Sequence, residues 1–539
     1  MSNKVREMIL QVKNLQVSYK HNQQSINVLD NLAFDLRKGE ILAVLGESGS
    51  GKSTIARAIT GLLPPSAYIG GGTLHIGSTS IADISSKSIQ WEQIRGRGIA
   101  MLFQDVQLAL NPVLKIKEHF KESLLFHRMA QADEVMSIST RLLSMLNFTN
   151  AQSILECYPF QLSGGMCQRI CLALALCLKP AVLVADEPTS ALDTVSQKEV
   201  LDLLQRMQEE LGLTVLLITH DIAVANAISN RVIVLNKGVI VEEGDTRTVF
   251  SKPQAAYTSL LLASRSQIAR PTHDREMMHL NEPLLEIIQL EKIFNHKKHV
   301  LYDVNLTLDK KEILDIMVKN VCGESTLAKC ITGLETPSGG HVMYSGTDIS
   351  RLQGKQKREI CKQIQLVFQD ARASLNPRRT ALQLVQEPLQ YLHIGCKKER
   401  EAMAKFYLNE VGILDDAQNR KPSQLSTGQC QRIAIARALV LRPEVLIFDE
   451  VVSALDMRVQ AQILALLQRL HEQFGFSILM ISHDIRVLRS FCHHIAVMNN
   501  GSFCEVKRAS TLLHESNQSY TQLLLKCAGD LEEGLSRRE

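Results

Sequence analysis

A long internal repeat is the feature that most constrains how this chain folds. Short segments from the first half recur in the second half in the same order, displaced by 263 to 265 residues. A period of that length exceeds the roughly 20 to 50 residues of solenoid repeats. The sequence therefore predicts one domain of roughly 250 residues that is present twice. The repeated segments are FQD at 103–105 and 368–370, LNP at 110–112 and 375–377, CQRI at 167–170 and 430–433, and SALD at 190–193 and 453–456.

The composition is that of an ordinary globular protein. Apolar residues make up 45% and charged residues 22% of the 539 residues, which excludes disorder as the main state and excludes collagen-like chains. A formal net charge of +4 over this length gives no argument for a nucleic-acid partner. The twelve cysteines form no C-x-x-C pair and are expected to be reduced, cytosolic thiols.

No segment has the pattern of a membrane span or a signal peptide. The longest apolar run, 170–178, has nine residues, whereas a spanning helix needs about 20. The N-terminus lacks the apolar core of a secretory signal. We therefore expect a chain that does not cross a membrane by itself.

The repeat also sets the expected domain limits. We predict a first domain over 1–263, a polar linker over 264–283, a second domain over 284–528 and a frayed tail over 529–539.

The first repeat carries a phosphate-binding loop. The apolar run 41–45 predicts a buried strand, and 55–62 predicts the helix that follows. Between them the sequence GESGSGKS matches G-x-x-x-x-G-K-[ST] in full. Backbone N–H groups of such a loop surround phosphates, the lysine reaches the β- and γ-phosphates, and the serine hydroxyl suits Mg²⁺. The predicted nucleotide-binding residues are Gly46, Ser48, Gly49, Ser50, Gly51, Lys52, Ser53 and Thr54.

Two carboxylates end a second buried strand, 181–187. Asp186 is expected to hold Mg²⁺ together with Ser53, as a Walker-B acid does. Glu187 is expected to act as the general base that polarises the attacking water. Carboxylates at strand ends also cap helices, and Pro188 could open a helix here. The phosphate loop upstream favours the catalytic interpretation.

The run LSGGMCQR at 162–169 resembles the signature motif of ABC-type ATPases. The resemblance covers nearly all of both repeats. It implies an α/β fold with two tandem P-loop nucleotide-binding domains, each a RecA-like core with a helical subdomain, the first over about 105–162. It also implies roles for four residues of the first repeat. Gln104 is the Q-loop residue, expected to be catalytic and to bind Mg²⁺ together with Ser53 and Asp186. Asp193 lies in the D-loop, His220 is the catalytic switch histidine, and Tyr19 stacks on adenine.

The second repeat departs from the phosphate-loop pattern. Glu324 stands where the first repeat has Lys52, and Val318 and Val321 replace two of its glycines, with Cys322 for Ser50. A unit charge pair at 4 Å and an effective dielectric constant near 20 is worth about 4 kcal/mol, so this exchange opposes MgATP binding. The other counterparts persist: Phe294, Gln369, Asp449, Glu450 and His483.

In the resembling family, two such domains pack head to tail, and each ATP lies between the phosphate loop of one domain and the signature of the other. The resemblance then implies one catalytic site and one degenerate site. The catalytic site joins the first loop to the signature of the second repeat, in which Thr427 replaces a glycine. The second loop, with Glu324, pairs with the signature around Ser163. The signature residues expected to contact the first ATP are Ser426, Gly428 and Gln429.

Both repeats also carry LNP after the Q-loop and a Tyr-Thr-x-Leu-Leu segment, at 257–261 and 520–524. These segments are similar to the ATPase subunits of dipeptide and oligopeptide importers, including fused microcin-C-type and glutathione-type subunits. The similarity implies ATP and Mg²⁺ as ligands, two membrane permease subunits and a separate substrate-binding protein as partners, and a peripheral place on the cytoplasmic face of the plasma membrane. We predict no iron–sulfur cluster, because 264–283 contains no cysteine and the second repeat offers only Cys527.

Two other functions remain open. The chain could be a catalytically decayed, regulatory pseudo-ATPase of the same complex. It could also be a soluble ABC factor of the translation type, although such proteins carry a long charged linker of about 80 residues, and the segment here has about twenty. No zinc-binding C-x-x-C pair or coiled-coil insertion points to a DNA-repair ATPase.

Overall fold

The computed structural model describes residues 7–21, 24–77, 79–86, 88–190, 192–268, 283–294, 298–318, 323–452, 455–482 and 491–533. The chain divides into two units. Unit 1 holds Met1–Ala263 together with Gly529–Glu539, and unit 2 holds Ser264–Ala528. Most of the predicted linker, 269–282, and the end of the predicted tail, 534–539, lie outside the described residues. The domain limits taken from the repeat stay predictions.

Unit 1 contains two sheets with the strand orders β2-β1-β4-β5 and β10-β9-β3-β8-β7-β6. The first sheet is antiparallel. In the second sheet, β3 pairs in parallel with both β8 and β9. Its strands β3, β7 and β8 are buried along their whole length, which explains why they appear in the sequence as continuous apolar runs. The strands are β1 (Met8–His21), β2 (Gln24–Arg37), β3 (Ile41–Leu45), β4 (Ala67–Ile76), β5 (Thr79–Ile81), β6 (Ile99–Leu102), β7 (Val182–Asp186), β8 (Val215–Thr219), β9 (Arg231–Asn236) and β10 (Val239–Asp245).

The helices of unit 1 fall into a short helical region and the crossovers of the parallel sheet. The helical region lies between β6 and α7, as the sequence predicts for 105–162, and ends in a 3₁₀ turn at Pro159–Gln161. The helices are α1 (Lys52–Ile59), α2 (Trp91–Ile94), α3 (Val106–Ala109), α4 (Ile116–Phe126), α5 (Val135–Met145), α6 (Ala151–Leu155), α7 (Gly164–Leu176), α8 (Thr194–Leu211), α9 (Ile222–Ile228), α10 (Thr246–Ser251) and α11 (Ala256–Ile268).

The limits predicted from the sequence for one helix and one strand were wrong. The helix after the phosphate loop begins at Lys52 and ends at Ile59, not at 62, because Gly61 takes a left-handed conformation with φ 67°. The strand predicted over 181–187 ends at Asp186, and no helix opens at Pro188. Helix α11 continues through Ile268, so the predicted linker starts as helix.

Unit 2 repeats this architecture. Its strand orders are β12-β11-β14-β15 and β16-β17-β18-β13-β19-β20, and β13 again pairs in parallel with two neighbours. The strands are β11 (Pro283–Phe294), β12 (Lys298–Asp309), β13 (Ile313–Val318), β14 (Gly339–Tyr344), β15 (Thr347–Asp348), β16 (Ile364–Val367), β17 (Val445–Asp449), β18 (Ser477–Ser482), β19 (His494–Asn499) and β20 (Ser502–Arg508).

The helices of unit 2 follow the same order. A 3₁₀ turn at Pro422–Gln424 precedes α18, as Pro159–Gln161 precedes α7. The helices are α12 (Glu324–Ile331), α13 (Gly354–Gln363), α14 (Ala371–Ser374), α15 (Ala381–Tyr391), α16 (Lys397–Glu410), α17 (Asp415–Gln418), α18 (Thr427–Leu439), α19 (Met457–Phe474), α20 (Ala509–Glu515) and α21 (Ser519–Glu533).

Each unit has its own apolar core. In unit 1, side chains of the antiparallel sheet pack with β3 and α1, as shown by Leu10, Val44 and Ile59. The corresponding core of unit 2 contains Leu285, Ile316 and Ile331. Among the described residues, no helix combines the length and the apolar character that crossing a bilayer requires.

Candidate functional site

The phosphate loop of unit 1 is a tight turn between β3 and α1. Gly51 adopts φ 107° immediately before the helix, a conformation that glycine tolerates best. A Cβ on Gly46 would lie 2.4 Å from the Leu235 carbonyl oxygen, so only glycine fits there. Ser48 and Gly49 form the exposed tip of the loop. The N-terminus of α1, whose first-turn N–H groups can face an anion, therefore opens onto the loop.

Lys52 is the first residue of α1 and is almost fully buried. Its ammonium group donates to the carbonyl oxygens of Gly46 at 2.7 Å and Glu47 at 2.9 Å. These bonds hold a positive charge inside the turn. Ser50 is also buried, and its hydroxyl has no hydrogen-bond partner in the part of the chain that the structure describes. The loop thus has a fixed cation and an unsatisfied polar group, as a site for an anion requires.

Ser53 and Asp186 meet although they are 133 residues apart in the chain. The Ser53 hydroxyl donates to Asp186 Oδ1 at 3.1 Å. Burial raises the pKa of Asp186, and the hydrogen bond from Ser53 offsets only part of that shift. A hydroxyl and a buried carboxylate form a pair of hard oxygen donors, which fits Mg²⁺. Two of the three residues predicted to hold the metal, Ser53 and Asp186, are therefore adjacent, and the third, Gln104, contacts Glu187.

Glu187 lies at the centre of a hydrogen-bonded group. Gln104 Nε2 donates to Glu187 Oε2 at 2.8 Å, and His220 Nδ1 lies 3.0 Å from Glu187 Oε1. Glu187 has a left-handed backbone conformation with φ 49°, which is uncommon outside glycine and is found at functional sites. The three residues predicted to be catalytic are thus brought together.

The pKa shifts of Glu187 and His220 favour an ionised Glu187 beside a protonated His220. Burial pushes the pKa of Glu187 upward, but the hydrogen bond and the charge of His220 outweigh it, and the pKa is lowered. Burial pushes the pKa of His220 downward, but the hydrogen bond to Glu187 outweighs it, and the pKa is raised. Glu187 is therefore held as a carboxylate that can accept a proton.

Tyr19 and Thr54 connect the antiparallel sheet to the loop. The two hydroxyl oxygens lie 3.4 Å apart. Tyr19 belongs to β1, and Thr54 to the first turn of α1. This contact puts the predicted adenine-stacking ring next to the predicted phosphate site.

A serine of the signature motif caps a helix in each unit, Ser163 in unit 1 and Ser426 in unit 2. Ser163 precedes α7, and its hydroxyl accepts from the Met166 N–H. Ser426 and Gln429 form a capping box at the start of α18, in which each side chain accepts from the backbone N–H of the other. Gln429 was predicted to contact ATP, but its side-chain oxygen is occupied by this cap. The predicted roles of Ser426, Gly428 and Gln429 stay predictions.

Unit 2 keeps the acidic half of the site. Ser325 donates to Asp449 at 3.2 Å, and Gln369 donates to Glu450. Glu450 shares the left-handed conformation of Glu187, with φ 48°. The Phe294 ring has the ammonium of Lys292 4.8 Å from its centre. Val321, Cys322 and His483, which the sequence also singled out, lie outside the described residues.

Glu324 occupies the position of Lys52 in unit 2. It is the first residue of α12, directly after Gly323 with φ 95°, and it is buried. The helix start is thus the same in the two units, whereas the side-chain charge is opposite. Unit 2 therefore presents a carboxylate where unit 1 presents an ammonium group.

One buried acid was not predicted from the sequence. Asp315 lies in the middle of β13 and is fully buried, with Ser482 Oγ 3.4 Å from its Oδ2. Its Oδ1 has no hydrogen-bond partner among the described residues. Burial raises the pKa of Asp315 well above the ordinary range. The only sequence signal is an acid inside the apolar run ILDIMV, at the position of Ala43 in the run ILAVL of unit 1.

Family comparisons match both units. A family profile described as "ABC transporter" matches residues 29–190 and 301–453. A second profile, described as "Oligopeptide/dipeptide transporter, C-terminal region", matches residues 241–295. The first profile covers the phosphate loop and the acidic strand end of unit 1 and the corresponding segments of unit 2.

Full-length relatives match nearly the whole chain. The chain is 35% identical to "Glutathione import ATP-binding protein GsiA" of Escherichia coli O6:H1, over 96% of this chain and 89% of the relative. The proteins of the same name in Escherichia coli K12 and Shigella flexneri give the same identity and coverage.

Solved structures of single cassettes match parts of the chain. The dimeric ATP-binding cassette MJ0796 bound to ADP and Pi is 30% identical over 42% of this chain and 99% of that chain, with a TM-score of 0.39. The CbiO1 protein of Clostridium perfringens is 26% identical over 43% of this chain and 92% of that chain, with a TM-score of 0.40.

Proposed function

The chain belongs to the ABC transporter family of ATPases, and on that premise we propose that it energises a peptide importer with unit 1 alone hydrolysing ATP. The observation that carries this proposal is the Glu187 carboxylate, held by Gln104 and His220 beside the loop that contains Lys52. A held carboxylate next to a phosphate site is the arrangement needed to deprotonate a water molecule.

The reaction is the transfer of the γ-phosphoryl group of ATP to water. The lowered pKa of Glu187 keeps it ionised, so it accepts the proton of the attacking water as the new P–O bond forms and the bond to ADP breaks. Gln104 and His220 orient this carboxylate. Lys52 supplies the positive charge that stabilises the transferred group.

Mg²⁺ fits the pair formed by Ser53 and Asp186, since both offer oxygen ligands within one hydrogen bond of each other. When bound, the ion neutralises phosphate charge and orients the phosphate chain. Tyr19, beside Thr54, is the residue we propose for the adenine ring. The loop N–H groups between Gly46 and Gly51 complete the proposed nucleotide contacts.

Unit 2 has the Walker-B acid and the base, but Glu324 stands where unit 1 has Lys52. Glu324 puts a carboxylate at the start of α12, where the phosphates of a bound nucleotide would meet like charge. Removing one donor from such a site costs about 10²- to 10³-fold in rate, and reversing its charge costs more. We therefore assign hydrolysis to unit 1 and a degenerate role to unit 2.

The substrate class and the partners come from the comparisons. The relatives are named as glutathione import proteins, and the second profile names oligopeptide and dipeptide transporters. We propose that this chain serves a small-peptide importer with two permease subunits and a separate substrate-binding protein, at the inner face of the plasma membrane. Head-to-tail pairing of its two units, with the signature around Ser426 completing the first site, belongs to the same proposal.

ATP hydrolysis by the purified chain tests the assignment of the two units. We expect Lys52→Ala to lower the rate by at least about a hundredfold. The matched variants Glu187→Gln and Glu450→Gln show how much each unit contributes to hydrolysis. The first change should abolish turnover, and the second should retain most of it, because Glu450 is the equivalent base of the unit that carries Glu324.

Two outcomes would contradict the proposal. Equal losses from the Glu187 and Glu450 variants would show that both units hydrolyse. No hydrolysis by the wild-type chain, either alone or assembled with permeases, would favour the regulatory pseudo-ATPase.

A further inference from the structure

A buried glutamine connects helix α7 to the turn that follows Glu187. Gln168 lies in the second turn of α7, five residues after Ser163, and its side chain is almost fully buried. Its amide Nε2 donates to the Pro188 carbonyl oxygen at 2.6 Å. That carbonyl belongs to the residue directly after Glu187. Helix α7 is therefore hydrogen-bonded to the peptide next to the proposed base of the same unit.

The backbone around Glu187 is restrained on both sides. The left-handed conformation of Glu187, with φ 49°, is unfavourable for a residue with a side chain, so its neighbours must maintain it. The Glu187 N–H donates to the Ile218 carbonyl at 2.9 Å, and the Glu187 carbonyl accepts from the Ser190 N–H at 3.1 Å. The bond from Gln168 restrains the next carbonyl along the chain. A shift of this turn would carry the Glu187 carboxylate with it.

Helix α8 contacts the same turn. Gln197 Nε2 donates to the Thr189 hydroxyl at 3.4 Å, and both side chains are buried. The two residues that follow Glu187 are thus each bonded to the side-chain amide of a glutamine, one from α7 and one from α8.

Unit 2 has the same two glutamines with a different set of bonds. The counterparts, displaced by 263 residues, are Gln431 for Gln168, Gln460 for Gln197, Val451 for Pro188 and Val452 for Thr189. Gln431 is buried, and its Nε2 has no hydrogen-bond partner among the described residues. Gln460 Nε2 donates to the Val452 carbonyl at 2.7 Å. The glutamine bond of unit 2 is therefore one residue further from the glutamate than the bond made by Gln168.

The comparison of the units shows what Gln168 contributes. Glu450 has φ 48° without a bond from Gln431 in the described part of the chain, so the left-handed conformation alone does not require this bond. The bond from Gln168 fixes the place of the turn relative to α7. A buried amide without a partner is unfavourable, and unit 2, to which we assign no hydrolysis, is the unit in which it occurs.

We propose that Gln168 is a positioning residue for ATP hydrolysis, which acts on Glu187 through the Pro188 carbonyl. This inference rests on the proposed function, because it takes Glu187 as the general base. A general base must lie within hydrogen-bond reach of the water that it deprotonates, and a displacement of about 1 Å can cost about a hundredfold in rate. Because Gln168 bonds to the backbone beside the base, its loss should lower kcat and leave ATP binding unchanged.

Steady-state hydrolysis by the full-length chain tests this role. Gln168→Met keeps nearly the same side-chain volume and removes the donor. We expect kcat to fall about tenfold, as the loss of one buried hydrogen bond implies. The KM for ATP and the affinity for a non-hydrolysable analogue should stay within about twofold of the wild-type values. Gln168→Asn retains an amide that is one methylene too short to reach Pro188, and it should give the same loss of kcat.

Two controls separate positioning from a general loss of stability. Gln431→Met removes an amide from the equivalent position of α18 and should leave kcat and KM unchanged. The buried Ser229 hydroxyl donates to the Ala225 carbonyl at 2.6 Å and lies 2.8 Å from the Thr246 hydroxyl. Ser229→Ala should therefore lower the urea midpoint of unfolding, as Gln168→Met does, and leave kcat unchanged.

The outcomes distinguish this inference from the proposed function. An unchanged kcat in both Gln168 variants, or the same loss of kcat in Gln431→Met or Ser229→Ala, would overturn the positioning role and leave the importer proposal intact. A rise in KM without a fall in kcat would also overturn it, because that result indicates weaker ATP binding. Absence of hydrolysis in the wild-type chain, alone or assembled with permeases, would overturn both.

Discussion

His220 lowers the pKa of Glu187, the carboxylate that we propose as the general base. Burial alone would raise the pKa of Glu187, and the hydrogen bond and charge of His220 bring it below the ordinary value. We expect His220→Gln to raise the pKa of Glu187, because burial then acts with less opposition. The acid limb of the pH–rate profile should move to higher pH, since a protonated Glu187 cannot accept the proton of water. Measuring kcat/KM for ATP against pH tests this.

A histidine of unit 2 that pairs with an exposed carboxylate provides the control. His341 contacts the Asp348 carboxylate at 2.7 Å on an exposed surface of unit 2. His341→Gln removes a similar pair and should leave the profile unchanged. If the acid limb stays in place in His220→Gln, another group determines the ionisation of Glu187.

Asp315 makes the stability of unit 2 depend on pH. Its pKa is raised by burial, so between the unfolded value of about 3.9 and the raised value the folded state binds more protons. The free energy of unfolding then falls by about 1.4 kcal/mol per pH unit as the pH rises through that interval. Asp315→Ala, which copies Ala43 of unit 1, should remove this dependence. Urea unfolding of the full chain at several pH values, with hydrogen exchange of the β13 amides, measures it.

The matched control removes an exposed carboxylate. Asp30 lies on the surface of β2, and Asp30→Ala should leave the pH dependence as it is. A variant of Asp315 that loses stability equally at every pH would show that this carboxyl stays ionised in the folded chain.

Single residues differ in how well the sequence predicted their surroundings. The sequence motifs picked out Lys52, Glu187 and His220, because phosphate chemistry restricts which residue types occur at those positions. The burial of Asp315 was not predicted, because a single acid within an apolar run does not indicate whether its side chain faces solvent. The helix cap formed by Gln429 was not predicted either, because the signature motif suggested only a contact with ATP.

Helices α8 and α19 have equivalent starts with different caps. Asp193 accepts from both the N–H and the hydroxyl of Ser196, at 3.0 and 2.9 Å, and is buried. Among the described residues, Asp456 accepts one hydrogen bond, from the Val459 N–H at 3.0 Å. Loss of a capping carboxylate typically costs about 1 kcal/mol and up to about 2. We expect Asp193→Ala to lower the free energy of unfolding by about 1–2 kcal/mol and Asp456→Ala by about 1 kcal/mol.

Asparagine variants separate capping from charge. Asn caps helices about as well as Asp, so Asp193→Asn and Asp456→Asn should keep most of the stability in urea unfolding of the full chain. Losses as large as those of the alanine variants would show that the negative charge matters more than the cap.

Strands and helices were predicted best where the apolar pattern in the sequence is long and lies next to a motif. Buried strands such as β3 and β7 stand out as apolar runs next to the phosphate and acid motifs. The end of α1 was placed too late, because the apolar pattern continues to Leu62 while Gly61 already has a left-handed backbone.

The two units repeat one fold and carry opposite charges at the equivalent positions Lys52 and Glu324. Both units place a serine against a Walker-B aspartate and a glutamine against a glutamate. Unit 2 therefore keeps the acidic half of the site, while Glu324 stands at the position of Lys52, the residue that we propose to contact the phosphates. Because the two units differ in the phosphate loop, we expect substitutions within the loop of unit 2 to restore MgATP binding there.

We expect the full-length chain to bind one MgATP, measured by calorimetry with a non-hydrolysable analogue. A triple variant, Val318→Gly with Val321→Gly and Glu324→Lys, restores the glycines and the cation and should bind two. Each unit of charge is worth about 4 kcal/mol at 4 Å, so Glu324→Gln should recover only part of that affinity. Two analogues bound by the wild-type chain, or one by the triple variant, would mean that Glu324 and the missing glycines do not decide which unit holds ATP.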